Sequence, residues 1–219
     1  MKIIDLGTIQ YADALSLQEE TVSMVREGAE ECLFLLEHYP VISFGRNGGE
    51  ENLPLPVDFF ETRGVTLFKT KRGGNITCHF PGQLVVYPIM RIEKQPGGLK
   101  RFFFNLEESV IRTLGTFGVT AERQEKRPGV WLGSRKICSI GIAVSHWVTS
   151  HGLALNITDD LSLFDLVTPC GLPGVTATSL HRETGDTSIT MDEVKDTFVA
   201  HFFDIFDLPR PATITHLPE

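Results

Sequence analysis

The sequence predicts an α+β fold, a mixed and largely antiparallel sheet packed with helices. Three observations carry that expectation. Apolar runs of strand length outnumber helical stretches. Several of them are paired across Gly- or Pro-containing turns, as hairpins are. The main helical stretches have one apolar face each, as cover for a sheet requires. At 219 residues the chain can bury a sizeable core, and it reads as one catalytic-size domain, residues 1–219.

The elements follow in order. Residues 2–7 read as a short strand, and Tyr11 to Gly28 has helical spacing with Leu15, Val22 and Val25 on one side. Glu31 to Glu37 and Val41 to Phe44 are apolar runs broken by Tyr39-Pro40 and Gly45; Arg46 to Gly49 is a turn. Val57 to Arg63 is a helical turn and Val65 to Lys69 a strand. Gln83 to Met90, rich in β-branched and aromatic residues, is a buried strand. After the break at Gln95-Pro96-Gly97-Gly98, a helix carries Leu99, Phe103, Leu106, Val110, Leu114 and Phe117 as a core stripe. Val119 to Arg123 is a strand. Val130-Trp131-Leu132 and Lys136 to Val144 flank Gly133-Ser134 as a hairpin, and Trp147 to Thr158 continues the sheet. Leu161 to Val167 is a short helix, and Thr168 to Val175 a loop dense in Pro and Gly. A terminal helix, about 190–207, opens with a Thr190/Glu193 capping box and buries Val194, Phe198, Phe202 and Ile205.

Composition narrows the function classes. Hydrophobic content of 42% and charged content of 22% belong to a globular chain, and the net charge of −8 argues against nucleic-acid binding. MKIIDLGTIQ reaches Asp5 too soon for a signal peptide, and no run approaches the length of a membrane span, so a cytoplasmic location is expected. The four cysteines, Cys32, Cys78, Cys138 and Cys170, contain no CxxC pair, which argues against zinc and against a disulfide framework.

The stretch from Lys71 to Met90 organises the chain. Arg72-Gly73-Gly74 lets backbone approach a ligand closely, because neither glycine carries a Cβ. Thr77 and His79 then stand beside a core strand, which is how a binding wall is built. Among the cysteines, Cys170 alone sits in a loop, between Pro169 and Gly171. As a nucleophile it needs a partner that favours the thiolate. His79, His151, His181 and Lys136 are the candidates, and spacing does not choose among them.

Longer motifs do choose. RGGNITCHFPGQLVVYPI, PGVWLGSRKICSIGIAV, WVTSHGLALNI, FDLVTPCGL and GVTATSL resemble, in order, the lipoyl(octanoyl) transferases. The resemblance implies the α+β fold shared with lipoate-protein and biotin-protein ligases. It implies transfer of an octanoyl (or lipoyl) group from acyl carrier protein to a lysine of lipoyl domains, the first step of endogenous protein lipoylation. The acceptors implied are the lipoyl domains of 2-oxoacid dehydrogenase complexes and the glycine cleavage H protein, and no cofactor is implied. By the same resemblance Cys170 carries the acyl thioester and Lys136 is its partner. Arg72, Gly73, Gly74, Asn75, Ile76, Thr77, Cys78 and His79 match the substrate-binding loop. Ser139, Ile140 and Gly141, with Gly152, Leu153 and Ala154, match the two other binding segments. The chain departs from the family at Cys78, where an aromatic residue is common, at Phe80, where glycine is common, and at Ser139, where alanine is frequent.

The chemistry suits those residues. Thioester exchange is near balance and thioester-to-amide transfer runs downhill, so neither nucleotide nor metal is required. A desolvated lysine can take a thiol proton, and backbone N–H groups, those around Cys170-Gly171 being the expected source, would hold the oxyanion. An ATP-dependent ligase of the same fold would need no cysteine nucleophile, and a non-catalytic acyl-carrier-binding module would need neither Cys170 nor Lys136. Lys69, Lys71 and Arg72, together with Arg123, Lys126, Arg127 and Arg135, are expected to form the landing surface for an acidic carrier.

Overall fold

The computed structural model describes residues 1–93, 97–167, 175–209 and 214–216. In chain order the elements are β1 (Lys2–Ile9), α1 (Tyr11–Arg26), β2 (Cys32–His38), β3 (Val41–Phe44), α2 (Val57–Glu61), β4 (Thr66–Lys69), β5 (Ile76–His79), β6 (Gln83–Ile89), α3 (Gly98–Thr116), β7 (Glu122–Gln124), β8 (Arg127–Leu132), β9 (Arg135–Ser145), β10 (Val148–Asn156), α4 (Ser162–Asp165), β11 (Thr176–Ala177), α5 (Leu180–Thr184), α6 (Met191–Ile205) and β12 (Thr215–His216). The large sheet runs β12-β1-β2-β6-β10-β9-β8-β7, with β11 added beside β9; a small sheet runs β4-β3-β5. Strands β1 and β2 are parallel, while β2-β6-β10-β9-β8 is antiparallel throughout. The fold is α+β with mixed sheets.

Central strands are buried on both faces, and their side chains alternate between two cores, as the two-residue period of a strand demands. Leu33, Leu35, Leu84 and Val86 face the core built with α3 and α6, where Phe102, Leu106, Phe198 and Phe202 pack. Phe34, Leu36, Val85 and Tyr87 face the opposite side, toward Ala14 and Val25 of α1. The small sheet has its own core, in which Ile42, Phe44, Cys78 and Phe80 meet Phe60 and Phe164.

Helix α6 begins as its sequence predicts. The Thr190 hydroxyl accepts the Glu193 N–H at 3.2 Å, and the Glu193 carboxylate accepts the Thr190 N–H at 2.7 Å. Two expectations need correction. On α3, Phe102, Leu106, Val110 and Leu114 are buried and the half-buried Phe103 packs against the same core, whereas Leu99 is 43% exposed and Phe102, absent from the expected stripe, takes its place. Leu99, seven residues before Leu106, shares the direction of that face but sits in the first turn of the helix. The strand expected from Val119 begins only at Glu122, because the Val119 N–H donates to the Leu114 carbonyl at 3.0 Å and closes α3.

Candidate active site

Lys136 opens β9, one residue beyond the start of the strand, and pairs across the β8–β9 hairpin with Trp131. Only 8% of Lys136 is exposed, and Trp131 is fully buried. The Lys136 Nζ stands 5.0 Å from the Trp131 ring centroid. On the other edge, β11 runs parallel to β9 with Ala177 opposite Lys136, and the Thr178 N–H donates to the Lys136 carbonyl at 3.0 Å. The chain leaving the 168–174 segment is therefore bonded directly alongside Lys136. Cys170 itself, with Gly171 and the rest of that loop, lies outside the described residues.

Three stretches distant in sequence meet in front of Lys136. The Arg72–Asn75 loop is tied to β9 by the Gly73 N–H, which donates to the Ile142 carbonyl at 2.9 Å. Gly141 permits that approach: a Cβ there would stand 2.9 Å from the Gly73 carbonyl oxygen. Arg72 is buried and holds the loop from inside. Its Nη2 donates to the carbonyls of Ser43 at 2.5 Å and Asn75 at 3.0 Å, and its Nη1 donates to the Gly73 carbonyl at 3.0 Å. The result is a tight slot of about 60 Å³. Arg72, Gly74, Asn75, Ile76, Thr77 and His79 line it together with Lys136, Ser139, Ile140, Gly141, Gly152, Leu153 and Ala154. Gly73 and Cys78 are not among its lining residues. Cys78 points across β5 into the small-sheet core, and Phe80 meets Phe164 edge-on there at 5.6 Å between centroids. The two departures at Cys78 and Phe80 thus form part of one packing cluster behind the slot.

The deep end of the slot is polar and aromatic, and most of it was not expected. Tyr11, Tyr87 and His151 line it alongside His79. His38 Nδ1 lies 3.0 Å from the Ile9 carbonyl, which can only accept, so Nδ1 carries the proton and Nε2 accepts from the Tyr87 hydroxyl at 2.8 Å. The Gln83 amide nitrogen donates to the Cys78 carbonyl at 3.3 Å, which orients the amide. Its oxygen then accepts from His79 Nδ1 at 2.8 Å, leaving His79 Nε2 as the acceptor nitrogen of the ring. Burial pulls His38 and His151 down to about 4, and His79 well below the usual imidazole range; the neighbouring Arg72 cation adds to the shift at His79 and His151. All three imidazoles are neutral near pH 7. The signal for these residues was available as polar aromatics at inward positions of apolar runs, His38 closing CLFLLEH and Tyr87 within QLVVYPI.

The three described cysteines are poor nucleophiles. Cys32, Cys78 and Cys138 are buried, and burial pushes the thiols of Cys32 and Cys138 up to about 12 and that of Cys78 up further. His181, one of the candidate partners for Cys170, is occupied elsewhere, with Nε2 donating to the Ile189 carbonyl at 2.9 Å. Among the described residues no cluster of three or more His, Cys, Asp or Glu side chains could hold a metal ion, and no helix is long and apolar enough to cross a membrane.

The lipoyl protein ligase A/B catalytic domain matches residues 10–203. The octanoyltransferase of Nitratidesulfovibrio vulgaris (strain DP4) is 58% identical over 212 residues, 97% of each chain. The octanoyltransferase of Solibacter usitatus (strain Ellin6076) is 44% identical over 205 residues, 92% of this chain and 91% of that one. Among solved structures, lipoate-protein ligase A bound with ATP superposes at a TM-score of 0.81 with 16% identity, over 100% of this chain and 89% of that one. The biotin protein ligase of Aquifex aeolicus, in complex with biotin and ATP, superposes at 0.57 with 13% identity, over 94% and 70%. The two structural likenesses establish the shared fold, and the sequence identities go further. The chain belongs to the lipoyl protein ligase A/B catalytic domain family and, within it, to the octanoyltransferases, which are acyltransferases.

Proposed function

We propose that this chain, acting as one catalytic domain in the cytoplasm, moves an octanoyl or lipoyl group from acyl carrier protein to a lysine of a lipoyl domain through a thioester on Cys170. This would be the first step of endogenous protein lipoylation, with 2-oxoacid dehydrogenase and glycine cleavage H lipoyl domains as acceptors. One observation carries the reading. Lys136 stands at the slot where three binding segments meet, and the strand that follows the Cys170 loop is paired with β9 at Lys136.

The steps use this chain's own groups. Lys136 takes the Cys170 thiol proton as Sγ attacks the carrier thioester carbonyl. Backbone N–H groups hold the tetrahedral oxyanion. Its collapse breaks the carbon–sulfur bond to the carrier, whose thiolate receives the proton from Lys136. The neutral amine of the acceptor lysine then attacks the Cys170 thioester, the C–N bond forms, Lys136 takes the amine proton, and the C–S bond breaks with that proton returned to the Cys170 thiolate. Each buried CH₂ contributes about 0.8 kcal/mol, so an eight-carbon chain gains roughly 5 kcal/mol, and acyl lengths are sorted by about fourfold per carbon. Eight carbons exceed the slot as it stands. An adjoining groove of about 670 Å³, which shares Gly74, Asn75, Lys136, Ile140 and Gly141 with it, supplies further room.

The test offers the protein two donors in parallel, with an apo lipoyl domain as acceptor: octanoyl carrier protein without ATP, and octanoate with ATP and magnesium. Modification of the lipoyl domain from the carrier alone is the expected outcome. Modification only from free octanoate and ATP would make the protein a ligase and overturn the reading.

A further inference from the structure

The landing surface expected from sequence does not survive as drawn. Arg72 is buried, Arg123 is bound by Glu107 and Glu108, and Arg135 donates to Glu183 at 2.8 Å through both Nε and Nη2. Lys69 and Lys71 stay exposed on one side, and a second outward group is more local. At the start of α3 and the β7–β8 turn, Lys100, Arg101, Lys126 and Arg127 are exposed, with Glu125 the one exposed carboxylate of that turn. Between them lies a groove of about 500 Å³ with an apolar floor that includes Leu99, Phe103, Phe104 and Pro128. Leu99 is 43% exposed and Phe104 41%, two large apolar side chains open to solvent in one groove.

We propose that this groove docks the acidic carrier protein that delivers the acyl thioester. The proposal deepens the acyl-transfer reading and rests on it. Two observations argue for that occupant. The first is charge. On a chain of net −8, three outward cations, Lys100, Lys126 and Arg127, line one apolar groove against a single carboxylate, Glu107, a local positive excess that helps an acidic partner overcome long-range repulsion. The second is continuity. Phe103, Lys126, Arg127 and Pro128 line both this groove and the next one, whose other wall carries Gly74, Ile140, Gly141 and Lys136. A carrier seated over Leu99 and Phe104 can therefore lay its flexible thioester arm along a continuous channel to Lys136. The exposed Leu99 and Phe104 have a use on this face.

Fluorescence anisotropy of labelled holo carrier protein tests docking apart from chemistry. Lys126→Glu/Arg127→Glu is expected to weaken the carrier's Kd about tenfold at physiological salt and to flatten its salt dependence. Lys100→Glu, on the opposite bank, should shift it in the same direction. Lys69→Glu/Lys71→Glu changes the net charge by the same amount at residues that do not line the groove and should shift it by no more than about twofold, less than the groove reversal does. Equal weakening by both double reversals, or none by the groove variants, would overturn the proposal. So would a wild-type self-association that the groove reversal abolishes, since the occupant would then be a second copy of the chain. In the Lys100→Glu preparation, whose changed residue lines only the outer groove, acyl-enzyme formation from octanoyl carrier protein should slow while formation from a small octanoyl thioester does not. A wild-type protein that binds the carrier through these residues yet never becomes acylated leaves the docking site standing and sinks the transfer reading instead.

Discussion

Lys136 lies against the face of its cross-strand neighbour Trp131, with Nζ 5.0 Å from the ring centroid. A fully buried indole leaves the amine little choice of position. Lys136→Arg keeps a cation that can still stack on the ring, but arginine stays protonated and cannot take a thiol proton. Both Lys136→Arg and Lys136→Ala are expected to lose about a hundredfold or more in turnover, measured as lipoyl-domain modification. A Lys136→Arg protein that keeps most of its activity would reduce the residue to a fixed positive charge.

Gly129 keeps the same space clear from the other side. A Cβ there would fall 2.7 Å from Lys136 Cε and 2.4 Å from the Cys138 carbonyl oxygen, and its φ of +122° disfavours any side chain. Gly129→Ala should therefore lower unfolding stability by about 2 kcal/mol and also slow transfer at temperatures where the variant is folded. Gly115→Ala, in α3 with nothing within 4 Å of its Cβ, should raise stability by about 0.5–1 kcal/mol and leave transfer alone. Urea titration with parallel transfer assays separates the two cases.

A buried hydrogen-bond line joins the slot to the Lys136 backbone. Gln83 accepts from His79 and donates to Asn156 at 2.9 Å; Asn156 donates to the Thr178 carbonyl at 2.9 Å; the Thr178 N–H reaches the Lys136 carbonyl. Asn156→Asp keeps the shape but replaces the donor to Thr178 with an acceptor. Turnover with a small octanoyl thioester should fall about tenfold, with KM changing far less, because the line positions Lys136 and does not touch the acyl group. A loss confined to KM would place Asn156 in substrate binding instead.

The buried imidazoles make the fold acid-sensitive. His38 and His151 are held down at about 4 when folded, against about 6.5 when unfolded. Between those values the unfolded chain binds more protons, so stability is full above about pH 6.5 and drains away as pH falls toward 4. At pH 5 the two together should have cost about 4 kcal/mol relative to pH 7.5. Urea midpoints across that range measure it, and a flat profile down to pH 5 would mean that these rings are charged or solvated in the folded protein.

Local features of this chain were legible from sequence, and cross-sheet features were not. The Thr190–Glu193 capping box needs only four consecutive residues, and the Gly133-Ser134 turn puts Lys136 at a strand start whatever surrounds it. The buried strand at Gln83 is visible in its own composition. By contrast, the His38–Tyr87 and Gln83–Asn156 bonds depend on which strands become neighbours and in what register. The inward face of α1 includes Gln18, which no apolar pattern reveals, because its carboxamide oxygen is there to accept the His151 N–H at 2.7 Å. Arg72 looked like a surface cation for the same reason: its acceptors, Ser43 and Asn75, are brought round it by the small sheet.

Cys170 is the residue on which the account turns. Intact-mass measurement after mixing the protein with octanoyl carrier protein, without acceptor, reads its role directly. The wild-type protein should gain the mass of one octanoyl group, labile to hydroxylamine as a thioester is, and Cys170→Ala should gain none. An adduct that persists in Cys170→Ala would contradict the account and move the acyl group to another nucleophile.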